Sequence, residues 1–568
     1  MKKIQEIYQE VKYKDIRDLL DISAKLYKDN LAFKLKKDKE YIDITYEKFR
    51  KDIDALGIGF ENLRLQGKRI AIIGPNRYEW AITYFATLCG NNIVVPLDKG
   101  LPEAEIESLL QRSYADVIVF SKEYIENMEK LKNKKSTNVK EFICMDKIED
   151  LEKFKNLKDI MQKGNELLEQ GNTEYKNITI DAEKMSIIVF TSGTTSISKA
   201  VMLSHKNIVV NVTALNVSEK IYNTDVNLAF LPFHHAFGIT GLMFFLSNGA
   251  CNVFCDGLRY IQQNLVEYKV SVFVCVPLLI ESMYKKIMLE IDKQGKLKTV
   301  KFGIKLSKIL LKFGIDIRRK LFKDIINKLG GNIRFIVSGA AAIDKKVAEA
   351  FNDFGILTVQ GYGLTETAPV LAAENEKCIK YGSIGLPMYN VDIKIDKPNE
   401  DGIGEIIAKG PNVMLGYYEN EEATKEVIIK GWFHTGDLGK IDEDGFIFVT
   451  GRKKNVIVLK NGKNVYPEEL EILINNLPYV AESMVFGMPK EDDLVVSAKI
   501  VYNKEYINHL YSDKTEQELH EIIWKDIKEI NKQLTTYKYI KHLIITDEPM
   551  IKTTTAKVKR YEEINKFK

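Results

Sequence analysis

Short apolar runs alternate with stretches of helical periodicity near the start of the chain. The runs RIAII at 69–73, NIVV at 92–95 and DVIVF at 116–120 predict buried strands. Helices are predicted up to residue 88 and over 102–113. Strand, helix and strand at this spacing are typical of right-handed crossover units, so the pattern predicts a parallel sheet with helices on both faces. We interpret the charged stretch 123–176 as solvated surface helices.

The strand pattern returns at SIIVF, residues 186–190, and again at 270–276, 333–337 and 357–360. From residue 392 the runs DIKI, GEIIAKG and GFIFVTGR alternate with turns and predict a β-rich subdomain over about 391–451. The remaining chain, with strands at 483–486, 495–501 and 542–545 and a helix near 516–531, predicts an α+β unit. We therefore expect an α/β protein with a large N-terminal domain at 1–451 and a small mobile C-terminal domain at 452–568, joined by a hinge near 451–455.

Composition narrows the class of protein. The 568 residues include 83 basic and 79 acidic ones, a formal net charge of +4, which does not favour a nucleic-acid-binding protein. The six cysteines contain no CxxC pair, so neither a disulfide framework nor a zinc ribbon is predicted, and reduced thiols favour the cytosol. The charged start of the chain lacks a secretory signal, and the uncharged stretch 226–255 is interrupted by Pro232, Gly238 and Gly241. We expect a cytoplasmic protein without a membrane span.

The segment TSGTTSISKAV at 191–201 carries the first chemical signal. Small residues in succession form a concave backbone nest for anionic oxygens, hydroxyl groups add donors, and Lys199 adds a positive charge. A Walker loop is the obvious alternative, but Ser198 stands where its second glycine belongs and Ala200 where a serine or threonine must hold magnesium. The segment therefore predicts a phosphate-binding loop of another kind, placed between a strand and a helix that starts near Ser204.

This loop resembles the TSGTTGxPKGV signature of the adenylate-forming enzymes, which include acyl-CoA synthetases, luciferases and peptide-synthetase adenylation domains. It departs from that signature at Ser196, Ser198 and Ala200. Other segments resemble the family in the same order along the chain: VSGAAAI at 337–343, QGYGLTET at 360–367, GWFHTGDLG at 431–439, GRKKN at 451–455 and PMIKTTTAKVKR at 549–560. The segments FLPFHHAFG and VIVLKNGKNVYPEELE most resemble those of bacterial long-chain fatty acyl-CoA synthetases.

The resemblance implies a binding site for ATP and coenzyme A. The residues that it assigns to nucleotide and coenzyme binding are Thr191, Ser192, Gly193, Thr194, Thr195, Lys199, Gly339, Ala340, Gln360, Gly361, Tyr362, Asp437, Arg452 and Gly462. Among them, Asp437 and Arg452 would hold the ribose, and Gly361 would let the adenine lie flat on the backbone. Gly462 would line the thiol tunnel, and its Asn-Gly pair is also a strong turn signal by itself.

The resemblance also implies the catalytic residues Thr365, Glu366, Lys557 and His235. Thr365 would contact the α-phosphate, Glu366 would bind Mg²⁺ as a hard oxygen ligand, and Lys557 would bring the substrate carboxylate to that phosphate. His235 matches a gate of the acyl pocket, although an isolated histidine in apolar sequence is more often a packed core residue. Lys454 occupies the hinge about which the small domain would rotate between half-reactions.

The activity that these residues imply is AMP-forming ligation of a fatty acid to CoA through an acyl-adenylate, with a long-chain acid as the first choice. A carrier-protein thiol or another acid remains an alternative within the family. A different class, a non-catalytic protein that binds nucleotide or acyl-AMP, is suggested only by the departures at Ser196, Ser198, Ala200 and Ala556. The sequence does not indicate an oligomeric state.

Residues 285–328 form a basic segment outside these motifs. The segment holds fourteen basic and four acidic residues, and Phe302, Leu306, Ile309 and Phe313 recur in it at helical spacing. Two interpretations stay open: a helix that contacts anionic lipid at the inner face of the membrane, or a solvated face of a lysine-rich chain.

Overall fold

The computed structural model of the protein describes residues 7–37, 40–148, 153–191, 198–460, 462–490, 493–512, 514–552 and 558–567. The chain up to residue 191 forms α1 (Ile16–Leu26), β1 (Leu31–Lys37), β2 (Glu40–Thr45), α2 (Tyr46–Asn62), β3 (Arg69–Ile73), α3 (Tyr78–Cys89), β4 (Ile93–Leu97), α4 (Glu103–Arg112), β5 (Val117–Phe120), α5 (Ile125–Lys134), β6 (Glu141–Cys144), β7 (Lys155–Asn156), α6 (Leu157–Glu169) and β8 (Met185–Thr191).

The middle of the chain forms β9 (Lys199–Ser204), α7 (His205–Ser218), β10 (Val226–Ala229), α8 (Ala236–Ser247), β11 (Cys251–Phe254), α9 (Ile261–Glu267), β12 (Val272–Cys275), α10 (Pro277–Lys293), α11 (Leu297–Lys312), α12 (Arg318–Leu321), α13 (Lys323–Lys328), β13 (Phe335–Ser338), α14 (Lys345–Asp353), β14 (Leu357–Gly363), β15 (Val370–Ala373) and β16 (Leu386–Pro387).

The rest of the chain forms β17 (Asp392–Asp396), β18 (Gly404–Lys409), β19 (Gly416–Tyr417), α15 (Glu421–Val427), β20 (Ile428–Ile429), β21 (Trp432–Ile441), β22 (Ile447–Arg452), β23 (Ile457–Val458), β24 (Asn464–Val465), α16 (Pro467–Asn475), β25 (Val480–Lys490), β26 (Asp493–Tyr502), α17 (Lys504–Tyr511), α18 (Glu516–Asn531), β27 (His542–Thr546) and α19 (Arg560–Asn565).

Two large sheets carry the first two thirds of the chain. One has the strand order β19-β9-β8-β4-β3-β5-β6-β7 and is parallel from β8 to β7. The other has the order β16-β15-β14-β13-β12-β10-β11-β1-β2 and is parallel from β14 to β1. Buried apolar side chains of α1, α2, α3, α7 and α8 join one core cluster with residues of the parallel strands. The predicted α/β architecture is confirmed.

The β-rich segment and the C-terminal unit form separate sheets. Strands β17, β18, β21, β20 and β22 make an antiparallel sheet. Strands β25, β26 and β27 make a mixed sheet, antiparallel between β25 and β26 and parallel between β26 and β27, which packs against α16 and α18 around its own core cluster. The chain passes from the first of these sheets to the second through a short turn at Lys453–Asn455.

The interpretation of residues 123–176 as surface helices is wrong in part. Strands β6 and β7 extend the first parallel sheet, and Phe142, Ile143 and Cys144 are buried in it. The apolar run EFIC is four residues long and lies between charged stretches, so its sequence pattern is weak, and the hydrogen bonds of the neighbouring strand β5 place it in the sheet.

The uncharged stretch 226–255 folds as β10, α8 and β11, as predicted. None of the helices in the described part of the chain has the length and apolar content needed to cross a bilayer.

Candidate functional site

The predicted phosphate loop connects two antiparallel strands. Thr191 at the end of β8 pairs with Lys199 at the start of β9, and helix α7 begins only after β9, behind Ser204 as its N-cap. The predicted helix start near Ser204 is confirmed, and strand β9, which the sequence analysis missed, lies between the loop and this helix. Helix α7 therefore begins at the opposite end of β9 from Lys199. Ser192, Gly193, Thr194, Thr195 and Ser196 lie outside the described residues.

Arg112 holds the C-terminal end of this loop, and the sequence analysis did not identify it. Its Nη2 donates to the carbonyl of Ser198 at 2.5 Å and its Nη1 to the Ser198 hydroxyl at 3.1 Å. The guanidinium also lies 5.3 Å from the centre of the Phe190 ring. Serine at position 198 thus supplies a hydroxyl acceptor for Arg112.

Lys199, Tyr417 and Glu366 form a polar group beside the loop. The Lys199 Nζ lies 4.5 Å from the centre of the Tyr417 ring, and the Tyr417 hydroxyl donates to Glu366 Oε1 at 2.9 Å. Burial, with Glu366 as a second cause, raises the pKa of Tyr417 well above its ordinary value, so the hydroxyl remains a donor at neutral pH. A cation, a phenol and a carboxylate therefore face one another at the end of the phosphate loop.

Backbone contacts bring these residues together from distant parts of the chain. Strand β19, which contains Tyr417, pairs with β9, and the N–H of Met414 donates to the carbonyl of Glu366 at 2.8 Å. Glu366 lies in the short turn Thr365–Thr367 that follows β14 in the other large sheet. The segment around Met414 therefore connects the two sheets at the site, and Thr365 lies half-buried beside Glu366.

Asparagines of α7 fix the same segment, and they too escaped the sequence analysis. Asn207 donates to the carbonyls of Pro411 at 2.8 Å and Val413 at 2.9 Å, and Asn211, one turn later, donates to the carbonyl of Val370 at 2.7 Å. Asn207 and Asn211 stand at i and i+4, each beside apolar residues of α7, and this spacing is the signal that could have found them, because buried amides need polar partners.

Asp437 and Arg452 lie directly opposite each other on the antiparallel strands β21 and β22. The Arg452 Nε lies 2.7 Å from Asp437 Oδ1, and the Tyr362 hydroxyl donates to Asp437 Oδ2 at 2.7 Å. Asp437 is almost fully buried, with 4% of its surface exposed. Each carboxylate oxygen accepts more than one hydrogen bond, so ribose hydroxyls can bind Asp437 beside these partners.

The predicted adenine slot has one open backbone face and one supporting wall. A side chain added at Gly361 would come no closer than 3.9 Å to a neighbour, the Ala372 carbonyl, so the strand is free to receive a flat ring. At Gly339 an added Cβ would meet the Phe237 ring at 2.7 Å, and Ala340 adopts a left-handed φ of 70°. Glycine at 339 thus permits the close approach of α8 to this turn.

The side chain of Gln360 forms hydrogen bonds within the protein. Its Oε1 accepts the N–H of Ile343 at 2.7 Å, and its Nε2 donates to the carbonyl of Ser383 at 3.2 Å. The turn after Gly339 is thereby tied to β14. Beneath it, Glu374 accepts the N–H of Gln360 at 3.0 Å, and burial raises the pKa of Glu374 to about 7.

His235 is the N-cap residue of α8 and is half-buried. Its ring centre lies 4.2 Å from that of His234, and the Nε2 of His234 lies 3.4 Å from Asp98 Oδ1. Donor atoms of these three residues lie within 4.8 Å of one another, a set whose ligand types suit a transition metal.

The remaining predicted residues lie around the C-terminal unit. Lys454 is exposed in the turn after β22, and Gly462 has a φ of 75° in the exposed hairpin between β23 and β24. The turn interpretation of Gly462 is supported by the hydrogen bond from its N–H to the carbonyl of Leu459 at 2.8 Å. Lys557 and Ala556 lie outside the described residues.

Comparison with known proteins gives the class of enzyme to which this fold belongs. The AMP-binding enzyme family matches residues 20–418, and the AMP-binding enzyme C-terminal domain matches residues 454–568. The chain belongs to the AMP-binding enzyme family.

Several curated relatives match most of the chain. Fatty acyl-CoA synthetase B of Dictyostelium discoideum is 29% identical over 532 residues, which cover 88% of this chain and 76% of that protein. Long-chain-fatty-acid–CoA ligase 5 of Mus musculus is 28% identical and covers 88% of this chain and 78% of its own length. Long-chain-fatty-acid–CoA ligase FadD15 of Mycobacterium tuberculosis is 26% identical and covers 80% of this chain and 76% of its own length.

Solved structures share the fold over nearly the whole chain. The anthranilate CoA ligase AuaEII in complex with anthranoyl-AMP has a TM-score of 0.79 at 18% identity and covers 98% of both chains. ATP-bound MatB from Rhodopseudomonas palustris has a TM-score of 0.74 at 22% identity and covers 96% of this chain and 99% of its own.

Proposed function

We propose that the protein is an ATP-dependent, AMP-forming acyl-CoA synthetase that activates a fatty acid and transfers it to CoA. The observation that carries this proposal is the adjacency of two polar groups on one strand and turn. Tyr362, which contacts Asp437, and Glu366, which contacts Tyr417 beside Lys199, lie four residues apart. A nucleotide with its ribose at Asp437 and its phosphates at Glu366 and Lys199 would span both groups.

In the first half-reaction, a carboxylate oxygen of the acid attacks the α-phosphorus of ATP and the bond to pyrophosphate breaks. Negative charge collects on the phosphoryl oxygens, so stabilisation must be electrostatic. Lys199, the hydroxyls of Thr191 and Thr365, and the amides of the loop 192–196 supply it in this proposal. Lys557 would bring the two anions together, because an ammonium offsets their repulsion.

Magnesium is part of the proposal, and Glu366 fits it as a ligand. One oxygen of this carboxylate accepts the Tyr417 hydroxyl, and the second remains for a cation. Mg²⁺ sites in proteins commonly combine one or two carboxylates with substrate phosphates. When bound, the ion would neutralise phosphate charge, while Tyr417 orients the carboxylate.

In the second half-reaction, the thiol of CoA attacks the acyl-adenylate carbonyl and AMP leaves. We propose that the small domain at 452–568 turns about Lys454, which withdraws Lys557 and brings Gly462 to the thiol path. The exposed position of Lys454 in a three-residue turn supports a hinge there. A carrier-protein thiol is the alternative acceptor.

A long-chain fatty acid is the proposed acyl substrate, because the curated relatives with the matches given above are named for long-chain or fatty acids. His235 at the start of α8 would gate the acyl pocket. The uncharged stretch 226–255 around it would supply apolar walls. Peripheral membrane contact through the basic segment is a further part of the proposal.

Pyrophosphate exchange into ATP over a panel of carboxylic acids tests this function. We expect exchange with fatty acids, a preference for long chains, and CoA thioester formation when CoA is added. Exchange with none of the acids would favour a non-catalytic nucleotide-binding protein, and exchange without CoA transfer would favour a carrier-protein acceptor. Lys557→Ala should abolish exchange and largely spare thioester formation from supplied acyl-AMP; equal loss of both would contradict its assigned role.

A further inference from the structure

Helix α11 carries large apolar side chains on its solvent side as well as on its core side. On the core side Gly303 and Ser307 are buried, and Leu297, Val300 and Ile304 pack against a core cluster. An added Cβ at Gly303 would lie 3.2 Å from Leu321, which shows how closely the helix approaches its support. The core side of α11 is thus packed within the protein, and this packing does not account for the apolar side chains on its solvent side.

The solvent side presents an apolar stripe of Phe302, Leu306, Ile309 and Phe313. Their exposed fractions are 67%, 38%, 55% and 76%. The spacing of four, three and four residues places these side chains above one another along one face. Contiguous exposed apolar side chains of this size mark a surface that contacts another phase or molecule.

A lysine row, Lys298, Lys301, Lys305 and Lys312, lies about a quarter-turn around the helix from the apolar stripe. All four residues are exposed, and none forms an ion pair with an acidic side chain of the described chain. Lys308 differs, because it pairs with Glu349 at 2.9 Å and with Asp353 at 3.0 Å. The helix therefore combines exposed apolar groups with cations that no described acid neutralises.

Some other cations of the segment 285–328 form hydrogen bonds or ion pairs within the protein. Lys285 donates to the backbone carbonyls of Val480 at 2.6 Å and Asn475 at 3.2 Å. Arg319 donates to the carbonyl of Ile333 at 2.7 Å, and Lys328 pairs with Glu290. Several cations of the segment are therefore engaged within the protein, and α11 is the element that combines lysines unpaired within the described chain with an exposed apolar stripe.

We propose that α11 docks on an anionic lipid bilayer and lies in its interfacial plane. An apolar face that enters the headgroup region beside a row of lysines is the pattern of an interfacial helix, and the lysines match the charge of acidic headgroups. A second copy of the chain fits less well, because an antiparallel two-fold contact through this face would bring two lysine rows together. This surface is separate from the nucleotide site, so the inference does not depend on the proposed activity.

Sedimentation with lipid vesicles, without ATP or fatty acid, tests the proposal. The protein should pellet with vesicles of phosphatidylcholine and about one third phosphatidylserine, and not with phosphatidylcholine alone. Each lysine near an anionic surface contributes about fivefold in partitioning, so Lys301→Glu, Lys305→Glu and Lys312→Glu together should lower the partition coefficient by about 100-fold or more. Lys308 is left unchanged because of its ion pairs.

A second variant separates the apolar contribution from charge. Phe302→Ser with Phe313→Ser keeps every lysine and should lower partitioning by at least about tenfold. The matched control is Lys122→Glu, Lys140→Glu and Lys158→Glu, three exposed lysines elsewhere, with partitioning within about twofold of the unchanged protein. Circular dichroism and pyrophosphate exchange with a water-soluble acid show whether each variant is folded.

Undiminished pelleting of the folded lysine variant would overturn the proposal, and so would an equal loss in the control. If the protein ignores vesicles and instead sediments as a dimer that Phe302→Ser with Phe313→Ser dissociates, the stripe is an interface between copies. If only the lysine variant loses binding, the contact is electrostatic and the inserted apolar stripe is wrong.

Discussion

The Tyr417 hydroxyl and the Glu366 carboxylate meet although 51 residues separate them in the chain. We predict that Tyr417→Phe lowers kcat/KM for pyrophosphate exchange by about 10- to 100-fold, because a hydrogen bond to a charged group contributes about 1.5–3 kcal/mol. The variant keeps the ring under Lys199, so the loss reports the hydroxyl alone. Exchange measured over a range of Mg²⁺ concentrations checks this, with a higher Mg²⁺ requirement expected.

Tyr418→Phe is the matched control for Tyr417→Phe. The Tyr418 hydroxyl accepts from Arg69 Nη1 at 2.9 Å and has no contact with Glu366. Exchange should stay within about twofold of the unchanged protein. A similar loss in both variants would mean that the strand β19, and not the hydroxyl, sets the rate.

At the scale of elements, the start of α7 makes the protein sensitive to acid. His205 is buried, its Nδ1 accepts the N–H of Ile16 at 3.3 Å, and burial lowers its pKa from 6.5 to about 4. Between these values the unfolded chain binds more protons than the folded one, so stability falls as the pH falls through that window. The full shift corresponds to about 3 kcal/mol.

We predict that His205→Asn, which can keep an acceptor for Ile16, reduces this acid sensitivity. The midpoint temperature of unfolding, measured at one scan rate at pH 7.5 and pH 5, should fall less in the variant than in the unchanged protein. His542→Asn, at an exposed histidine of β27, is the control and should keep the full drop. Equal drops in all three proteins would show that His205 does not titrate in this range.

For the molecule as a whole, Lys285 on α10 contacts the C-terminal unit that holds α16 and β25. Its Nζ donates to carbonyls at the end of α16 and the start of β25. We predict that Lys285→Met releases this contact and speeds tryptic cleavage at the hinge 452–454 by about tenfold, since the donors are lost and the stem is kept. Cleavage followed by gel electrophoresis gives the measurement.

Lys286→Met is the control for this prediction, since Lys286 is the exposed neighbour on the same helix. Its cleavage rate should match that of the unchanged protein. If both substitutions leave the rate unchanged, the contact of Lys285 does not hold the small domain in place.

The fold was largely predictable from local patterns, and the failures have local causes. The strands β3 and β8 are long apolar runs with clear turns around them, so their existence follows from sequence. Strand β6 is four residues long and lies among charged residues. Strand β9 follows the hydroxyl-rich loop, and the sequence analysis predicted only the helix after it. Both strands exist because a neighbouring strand offers hydrogen-bond partners, and that information is not local.

The candidate site shows the same division. Glu366 and Asp437 stand in recognisable motifs, so the sequence identified them. Tyr417 and Arg112 stand in none, and their polar atoms matter because folding brings them to Glu366 and to Ser198. Sequence alone could not identify them, because their partners lie 51 and 86 residues away in the chain.

By itself, the sequence determined the class of fold, the family and the candidate nucleotide-binding residues, because each depends on short patterns of apolar, glycine and charged residues. Only the tertiary structure decided which charged side chains pair within the protein and which remain exposed beside apolar groups. It placed Arg452 on Asp437 and Lys285 on the small domain, and left the lysines of α11 beside exposed phenylalanines. Burial and pairing arise from packing across the whole chain, which no local segment encodes.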